Sequence, residues 1–255
     1  MSSRRLQTKR IITDLLRDST PAQLSGNLLA WPAREVINPL FSCLCHPEEL
    51  VRWRAVTGFG VIVPTIADQD LEEARVLIRR FLWMLNDESG GIGWGVPQAL
   101  AEVLAGSALL AREYLHMLVS YTLDDGPELF QHGNFLENEI LQEGVLWGIC
   151  RVAPLYPDQL LELGMATNCG GYFSSARSAI RGLACRLSGL LDLARYRTQL
   201  LGLTGDQAEL RLYEAAVMHD CRVMDLAREA LRGLGEDQRS GSPGGNGATG
   251  SPPRQ

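Results

Sequence analysis

The spacing of apolar positions predicts a chain built almost entirely of amphipathic helices. After Asp70, apolar residues recur at offsets of 0, 3, 6, 7, 10, 11 and 14 from Leu71, a spacing that lines one face of a helix. The stretch 47–63, PEELVRWRAVTGFGVIV, shows a second such face. The small residues on that face allow another helix to approach closely. The positions on it are Val51, Ala55, Gly58 and Phe59.

Similar spacing predicts further helices before and after these two. The predicted ranges are 4–17, 22–29, 34–45, 96–104, 107–123, 139–152, 157–163, 174–187, 190–201 and 225–234. We expect the last helix to end at Gly235, because glycine commonly follows a helix. Residues 209–214 alternate as a strand does, so we predict a short β-hairpin near 209–223, with a helix as the alternative.

The C-terminal sequence differs in composition from the rest. From 239 to 255 it reads RSGSPGGNGATGSPPRQ, without one large apolar residue. Such a segment cannot bury enough apolar surface to fold. We therefore expect one helical-repeat domain over 1–237 and a disordered Gly/Ser/Pro-rich tail over 238–255.

Three tryptophan-bearing segments indicate an internal repeat. Trp53, Trp94 and Trp147 are each followed by small and apolar residues at similar offsets. The tryptophans are separated by 41 and 53 residues, which is near and slightly beyond the ~40–47 residues of HEAT or armadillo units. The longer interval contains the irregular stretch 124–137, which accounts for the excess.

The sequence VRWRAVTGFG at 51–60 is similar to a helix of a HEAT repeat. The resemblance covers about 32–190, and the chain also resembles a small family of HEAT-like bacterial proteins. One departure is His46, which stands where an acidic residue is usual between the paired helices. The resemblance implies an all-α, HEAT-like solenoid of about five helix pairs whose second helices line a concave face.

The net charge narrows the choice of partner. The 255 residues carry a formal net charge of −6, whereas binding of nucleic acid depends on a concentrated basic surface. The composition therefore favours a protein partner over nucleic acid. No apolar run approaches the ~18 residues that span a bilayer, and no apolar region follows the basic N-terminus as it would in a secretory signal. We expect a cytoplasmic protein without a membrane segment.

The tryptophans and nearby arginines are the candidate partner-binding residues. The indoles either lie in the core with their N–H groups bonded to carbonyls or form an aromatic row for a partner on the concave face. Trp53 projects about 200° from the inward Ala55, which keeps the second alternative open. Arg52 and Arg54 flank Trp53 and could pair with acidic groups of a partner. The full candidate set is Arg52, Trp53, Arg54, Trp94, Trp147 and Arg151.

No set of residues has the spacing of a familiar catalytic, metal or cofactor site. The CLCH motif at 43–46 offers zinc ligands but lacks a second ligand pair. The glycine turn at 89–95, SGGIGWG, follows a helix rather than a strand and lacks the lysine of a phosphate-binding loop. His132, in the long loop, has acidic neighbours but no matched partner. We therefore predict no catalytic residue, no metal and no cofactor.

Two functions remain open from the sequence. The first is a non-catalytic interaction scaffold that binds a protein through the face lined by the second helices. The alternative is a HEAT-like enzyme or cofactor-handling protein, similar to a lyase or a DNA glycosylase. That alternative depends on residues 90–95 and 124–137 meeting in one pocket.

Overall fold

The computed structural model describes residues 2–86, 93–124, 126 and 133–240, and these form thirteen α-helices and two strands. The first six helices are α1 Ser2–Asp18, α2 Pro21–Leu29, α3 Ala33–Cys43, α4 Glu49–Ala67, α5 Leu71–Met84 and α6 Val96–Gly106. The others are α7 Ala108–Ser120, α8 Glu139–Val152, α9 Pro157–Glu162, α10 Met165–Asn168, α11 Ser178–Leu190, α12 Arg197–Leu203 and α13 Val223–Ser240. The strands are β1 Glu209–Glu214 and β2 Val217–Arg222, and 3₁₀ turns cover Cys169–Ser174 and Ala194–Tyr196.

The helices stack as pairs, and the second helix of each pair contacts the second helix of the next. Thus α4 packs on α6, α6 on α8, α8 on α11 and α11 on α13. The first helices α3, α5 and α7 pack against α4, α6 and α8 from the other side, while α1 and α2 extend the stack next to α3 and α4. This arrangement confirms the predicted all-α helical-repeat solenoid.

Small residues set the distance between the second helices. A Cβ atom added to Gly60 in α4 would lie 2.8 Å from Cβ of Glu102 in α6. A Cβ atom on Gly148 in α8 would lie 2.8 Å from Cβ of Ala101. Side chains larger than hydrogen at these positions would push the second helices apart. On the predicted face of α4, a Cβ atom on Gly58 would lie 2.8 Å from Cδ2 of Leu40 in α3, so the close approach on that face is to a first helix.

The helix α4 is also the described helix that is long and apolar enough to cross a membrane. It has 19 predominantly apolar residues, and about half of the helix is buried inside the fold. A helix in the core of a protein can have the same length and apolar composition. The expectation that no apolar run approaches such a length was therefore too simple for Glu49–Ala67, although the burial of this helix gives a sufficient reason for its hydropathy.

The C-terminal helix is longer than the sequence predicts. It continues through Gly235 to Ser240, so the predicted end at Gly235 is wrong. A glycine costs a helix only about 1 kcal/mol, and α13 packs along α11, which gives it support from outside its own sequence. Of the predicted tail, residues 241–255 lie outside the described part of the chain.

The predicted hairpin is confirmed. The two strands are antiparallel, and the residue pairs run from Glu209 opposite Arg222 to Glu214 opposite Val217. Two residues, Ala215 and Ala216, form the turn, with φ angles of 47° and 63°. Because an isolated two-stranded hairpin is only marginally stable in water, this one depends on what it packs against.

Candidate functional site

The hairpin lies on the inner face of the solenoid, where the second helices stand side by side. One side of β1 packs on the C-terminal part of the solenoid: Cδ1 of Leu210 lies 2.8 Å from where a Cβ atom on Gly182 of α11 would be. The other side reaches α4, since the Tyr213 hydroxyl is 2.8 Å from Oγ1 of Thr57, 156 residues away in the sequence. The hairpin therefore joins the two ends of the inner face.

Three aromatic rings form the centre of this contact. Tyr213 stacks on Trp53 with ring centroids 5.0 Å apart and an interplanar angle of 18°. Trp53 and Trp147 lie 4.9 Å apart, and the indole N–H of Trp147 donates to the main-chain carbonyl of Tyr213 at 3.1 Å. Tyr213 is only 2% exposed, and burial raises the pKa of its hydroxyl to about 12. The ring is thus neutral and serves as a packing and hydrogen-bonding group.

Charged pairs flank the aromatic centre. Arg211 of β1 pairs with Glu49 at the start of α4. Glu214, at the other end of β1, pairs with Arg186 of α11. The hydroxyl of Ser178 donates to the carbonyl of Glu209 at 2.7 Å. These contacts fix both the direction and the register of β1 on the inner face.

The space on one side of β1 is a groove of about 660 Å³ at the N-terminal ends of α4, α6 and α8. We call it the tryptophan groove, because Trp53 and Trp94 line it together and both are half-buried. Its charged lining includes two ion pairs, Arg177 with Glu143 at 2.5 Å and Arg211 with Glu49. The other lining residues include Arg52, Gln98 and Ile140.

Two polar groups of the tryptophan groove have bonding capacity left over. Nη1 of Arg52 donates to the carbonyls of His46 at 2.8 Å and Pro47 at 3.1 Å. These acceptors are neutral, so the charge of Arg52 is not cancelled by a carboxylate within the described residues. Oε1 of Gln98 is buried and has no hydrogen-bond partner there. A buried acceptor without a donor carries a desolvation cost.

Arg54 has a different place from the one expected. It is 6% exposed, and Nη1 donates to the carbonyls of Leu16 at 2.8 Å and Arg17 at 2.9 Å. These are carbonyls of the last turn of α1, where a cation is favoured by the helix dipole. The expected placement beside Trp53 on the surface is corrected, and Arg54 is engaged inside the fold.

A second groove of about 660 Å³ lies on the other side of β1, and we call it the glutamate groove. Arg151, the remaining candidate, lines it and pairs with Glu102 at 3.0 Å. Burial raises the pKa of Glu102, and the nearby Arg151 opposes this shift. Trp147 and Arg186 also line this groove. The six predicted residues therefore divide between two grooves and the interior.

The three tryptophans differ in burial and therefore do not share one role. Trp147 is 8% exposed with its N–H bonded to a carbonyl, as the core alternative requires. Trp53 and Trp94 keep part of their surface in the tryptophan groove, as the surface alternative requires. Tyr213, which links Trp53 to Trp147, was not among the predicted site residues. An aromatic residue beside the turn of a hairpin that must pack on something was the available signal.

The described residues offer little for catalysis or metal binding. No group of three or more His, Cys, Asp and Glu side chains among them is placed to hold a metal ion. In the CLCH motif, Cys43 is buried and Cys45 is exposed, so the two thiols point to different environments. Burial raises the pKa of the Cys150 and Cys169 thiols to about 12, which keeps them protonated and unreactive.

The described residues of the two segments of the enzyme alternative line different grooves, although Gly93 lies against Met84 and Leu85, which border the depression lined by 134–138. Trp94 and Gly95 line the tryptophan groove. Residues 134–138 line a different depression next to Met84 and Leu85. His132, Gly91 and the rest of 87–92 and 127–132 lie outside the described residues.

Comparison with known proteins gives few matches by sequence. No protein-family model matches the chain. An uncharacterized protein of Archaeoglobus fulgidus is 31% identical over 119 residues, which cover 47% of this chain and 55% of that protein. The chain thus spans about half the length of the curated relative it matches.

Comparison with solved structures finds designed helical-repeat proteins. A computationally designed armadillo repeat protein for modular peptide recognition has a TM-score of 0.49 at 17% identity, with 90% of this chain and 93% of that chain covered. A designed armadillo repeat protein in complex with the peptide (KR)4 has a TM-score of 0.46 at 17% identity, with coverages of 88% and 98%. An engineered protein has a TM-score of 0.49 at 14% identity, again with coverages of 88% and 98%.

Proposed function

We propose that this chain is a non-catalytic scaffold that binds another protein through the inner face of its solenoid, at the tryptophan groove. The observation that carries the proposal is the combination of two half-buried indoles, Trp53 and Trp94, with the Arg52 guanidinium in one groove. Tryptophan and arginine are enriched among the residues that dominate protein interfaces.

The chemistry of the groove supports a polypeptide as the ligand. The indoles offer flat apolar surface, and Arg52 offers charge without a carboxylate partner among the described residues. A polypeptide brings apolar side chains, carboxylates and backbone N–H groups together.

The test captures partners of the tagged full-length chain from native lysate and then measures binding of the purified partner to four variants. We expect Trp94→Ala and Arg52→Glu to weaken binding at least about tenfold, because interface residues of this kind contribute about 2 kcal/mol or more. Trp83→Ala and Arg112→Glu are the matched controls, since Trp83 is 56% exposed on α5 and Arg112 is exposed on α7.

Circular dichroism should show all four variants folded, because none of the four side chains is fully buried. The controls should bind as the natural chain does. Equal binding by Trp94→Ala, Arg52→Glu and their controls would refute this groove as the partner site.

A further inference from the structure

The hairpin occupies the centre of the inner face with side chains that follow a simple order. In the run Arg211-Leu212-Tyr213-Glu214, three side chains contact groups outside the hairpin. Arg211 pairs with Glu49, Tyr213 bonds Thr57 and stacks on Trp53, and Glu214 pairs with Arg186. These receiving groups come from α4 and α11, and Asp220 of β2 also pairs with Arg211 at 3.3 Å, so the solenoid builds most of the site for this run.

The inner face also contacts the backbone of the run. The indole N–H of Trp147 donates to the carbonyl of Tyr213, and the Ser178 hydroxyl donates to the carbonyl of Glu209. Main-chain hydrogen bonds combined with pockets for alternate side chains are how an extended peptide is recognised. The receiving groups would fit any extended segment with a basic residue, an aromatic residue two positions later and an acidic residue directly after it.

The contacts of the hairpin are unequal on its two sides. Leu210 and Leu212 are buried, and Leu210 packs beside Gly182 of α11. Toward α4, the hairpin has the stack of Tyr213 on Trp53, the hydrogen bond between Tyr213 and Thr57, and the Arg211–Glu49 pair, in which the Arg211 side chain is 52% exposed. Exposed ion pairs contribute little to stability, so the contact with α4 depends mainly on the buried Tyr213.

The two turn residues do not favour formation of the hairpin. Ala215 and Ala216 both have positive φ angles, where a two-residue turn prefers Asn-Gly. An L-residue in this conformation costs about 1–2 kcal/mol. The hairpin is therefore held in place by docking on the inner face more than by its turn.

We propose that β1 occupies the binding site of the partner in the free protein. The partner of the scaffold is then an extended segment carrying the same order of basic, aromatic and acidic residues. This inference rests on the proposed function and names the chemistry of its partner. When β1 is displaced, the segment forms the contacts with Glu49, Trp53, Trp147 and Arg186. Because β1 is part of the same chain, it competes at a high effective concentration, which restricts binding to segments that match the site well.

The test uses a fluorescein-labelled peptide, acetyl-ELRLYE-amide, and its anisotropy on titration with the full-length chain. The double substitution Arg211→Glu/Tyr213→Ser weakens the contacts of the hairpin with α4, and we call this chain the released variant. We expect it to bind the peptide at least about tenfold more tightly than the natural chain does, which corresponds to about 1.4 kcal/mol. The peptide acetyl-ELRLAE-amide, which lacks the aromatic side chain, is the matched control and should bind neither chain.

A second measurement covers the case in which the released variant fails to fold. Hydrogen exchange of the natural chain, read by mass spectrometry, should become faster over 209–222 when ELRLYE is added in excess and not when ELRLAE is added. Adding Glu49→Gln to the released variant should weaken peptide binding, because it removes the charge that receives the arginine.

The outcomes separate the two proposals. If ELRLYE neither binds the released variant nor changes exchange over 209–222, or if ELRLAE acts equally, the inference about β1 is refuted. Loss of the captured partner on Trp94→Ala would still support the scaffold in that case. If released chains form dimers that exclude the peptide, a second copy occupies the site, and the inference is likewise refuted.

Discussion

Relaxing the hairpin turn should stabilise the protein. Ala215 and Ala216 occupy left-handed backbone conformations, with φ angles of 47° and 63°. The double substitution Ala215→Asn/Ala216→Gly gives this turn the residues that its geometry favours. The strands on either side would keep their register, with Glu214 opposite Val217.

The size of the effect follows from two opposing contributions. Glycine at 216 removes about 1–2 kcal/mol of left-handed strain but gives back about 0.5–1 kcal/mol through the greater freedom of the unfolded chain. Asparagine at 215 tolerates the conformation better than alanine does and adds no such freedom. We therefore expect a net gain of about 1 kcal/mol in the free energy of unfolding.

The assay is equilibrium unfolding in urea, followed by far-ultraviolet circular dichroism. With a slope near the upper end of about 1–3 kcal/mol per molar urea, the midpoint should rise by about 0.3–0.5 M. Ala30→Gly is the matched control, because Ala30 has an ordinary φ of −68°, so that glycine relieves nothing and lowers the midpoint.

A falling midpoint in the turn variant, or an equal change in both variants, would show that the positive φ angles store no strain. The same variant also bears on the role proposed for β1. A hairpin with a relaxed turn competes better for the inner face, so the natural chain carrying this turn should bind ELRLYE more weakly.

Three further predictions follow from the core. Gly60→Ala should lower the free energy of unfolding by about 1–3 kcal/mol through overpacking, because its Cβ would meet Glu102 at 2.8 Å; Gly26→Ala, with nothing within 4 Å, should instead be neutral or stabilising in thermal melts. Burial raises the folded-state pKa of Glu102 above its usual 4.5, so the stability that this group contributes falls as the pH rises from the unfolded-state pKa through the folded-state pKa. The melting temperature of Glu102→Gln, relative to that of the natural chain, should therefore increase with pH. A constant difference would contradict this. Native thiol labelling should modify exposed Cys45 well before buried Cys150, and equal rates would contradict the burial of Cys150.

Much of the helical architecture could be predicted because it depends on local spacing. The range 139–152 agrees with α8 at both ends, and Asp70 caps α5 by accepting from the N–H groups of Glu72 and Glu73. The predicted face of α4 is buried at Val51. In each case the signal lies within a few turns of one helix.

The burial of Arg54 agrees with its position on the helix, although it was predicted to lie on the surface. Arg54 follows Val51 by three positions and precedes Gly58 by four, so it shares their face of the helix. The charge of the side chain suggested a surface position. The acceptors that make its burial acceptable are carbonyls at the end of α1, 37 and 38 residues earlier in the sequence, and no periodicity within α4 reveals them.

The placement of the hairpin could not be predicted because its partners are distant in the sequence. The contact between Arg211 and Glu49 spans 162 residues, and that between Tyr213 and Thr57 spans 156. Alternation within 209–214 predicts a strand but does not say which face of which helix receives it. The tryptophan repeat pointed to the inner face as a binding surface, yet it gave no sign that the chain itself would cover part of that surface.

That covering has a physical reason. A concave face that exposed Trp53 and Trp147 together would present a large apolar patch, and such patches promote aggregation unless a partner covers them. With Tyr213 stacked on Trp53 and the Trp147 N–H bonded, the free protein buries most of that surface and leaves a groove open on each side of β1. A partner that uses the whole face must replace β1, whereas a partner that uses only Trp94 and Arg52 need not. The response of 209–222 to partner binding therefore distinguishes these two modes of recognition.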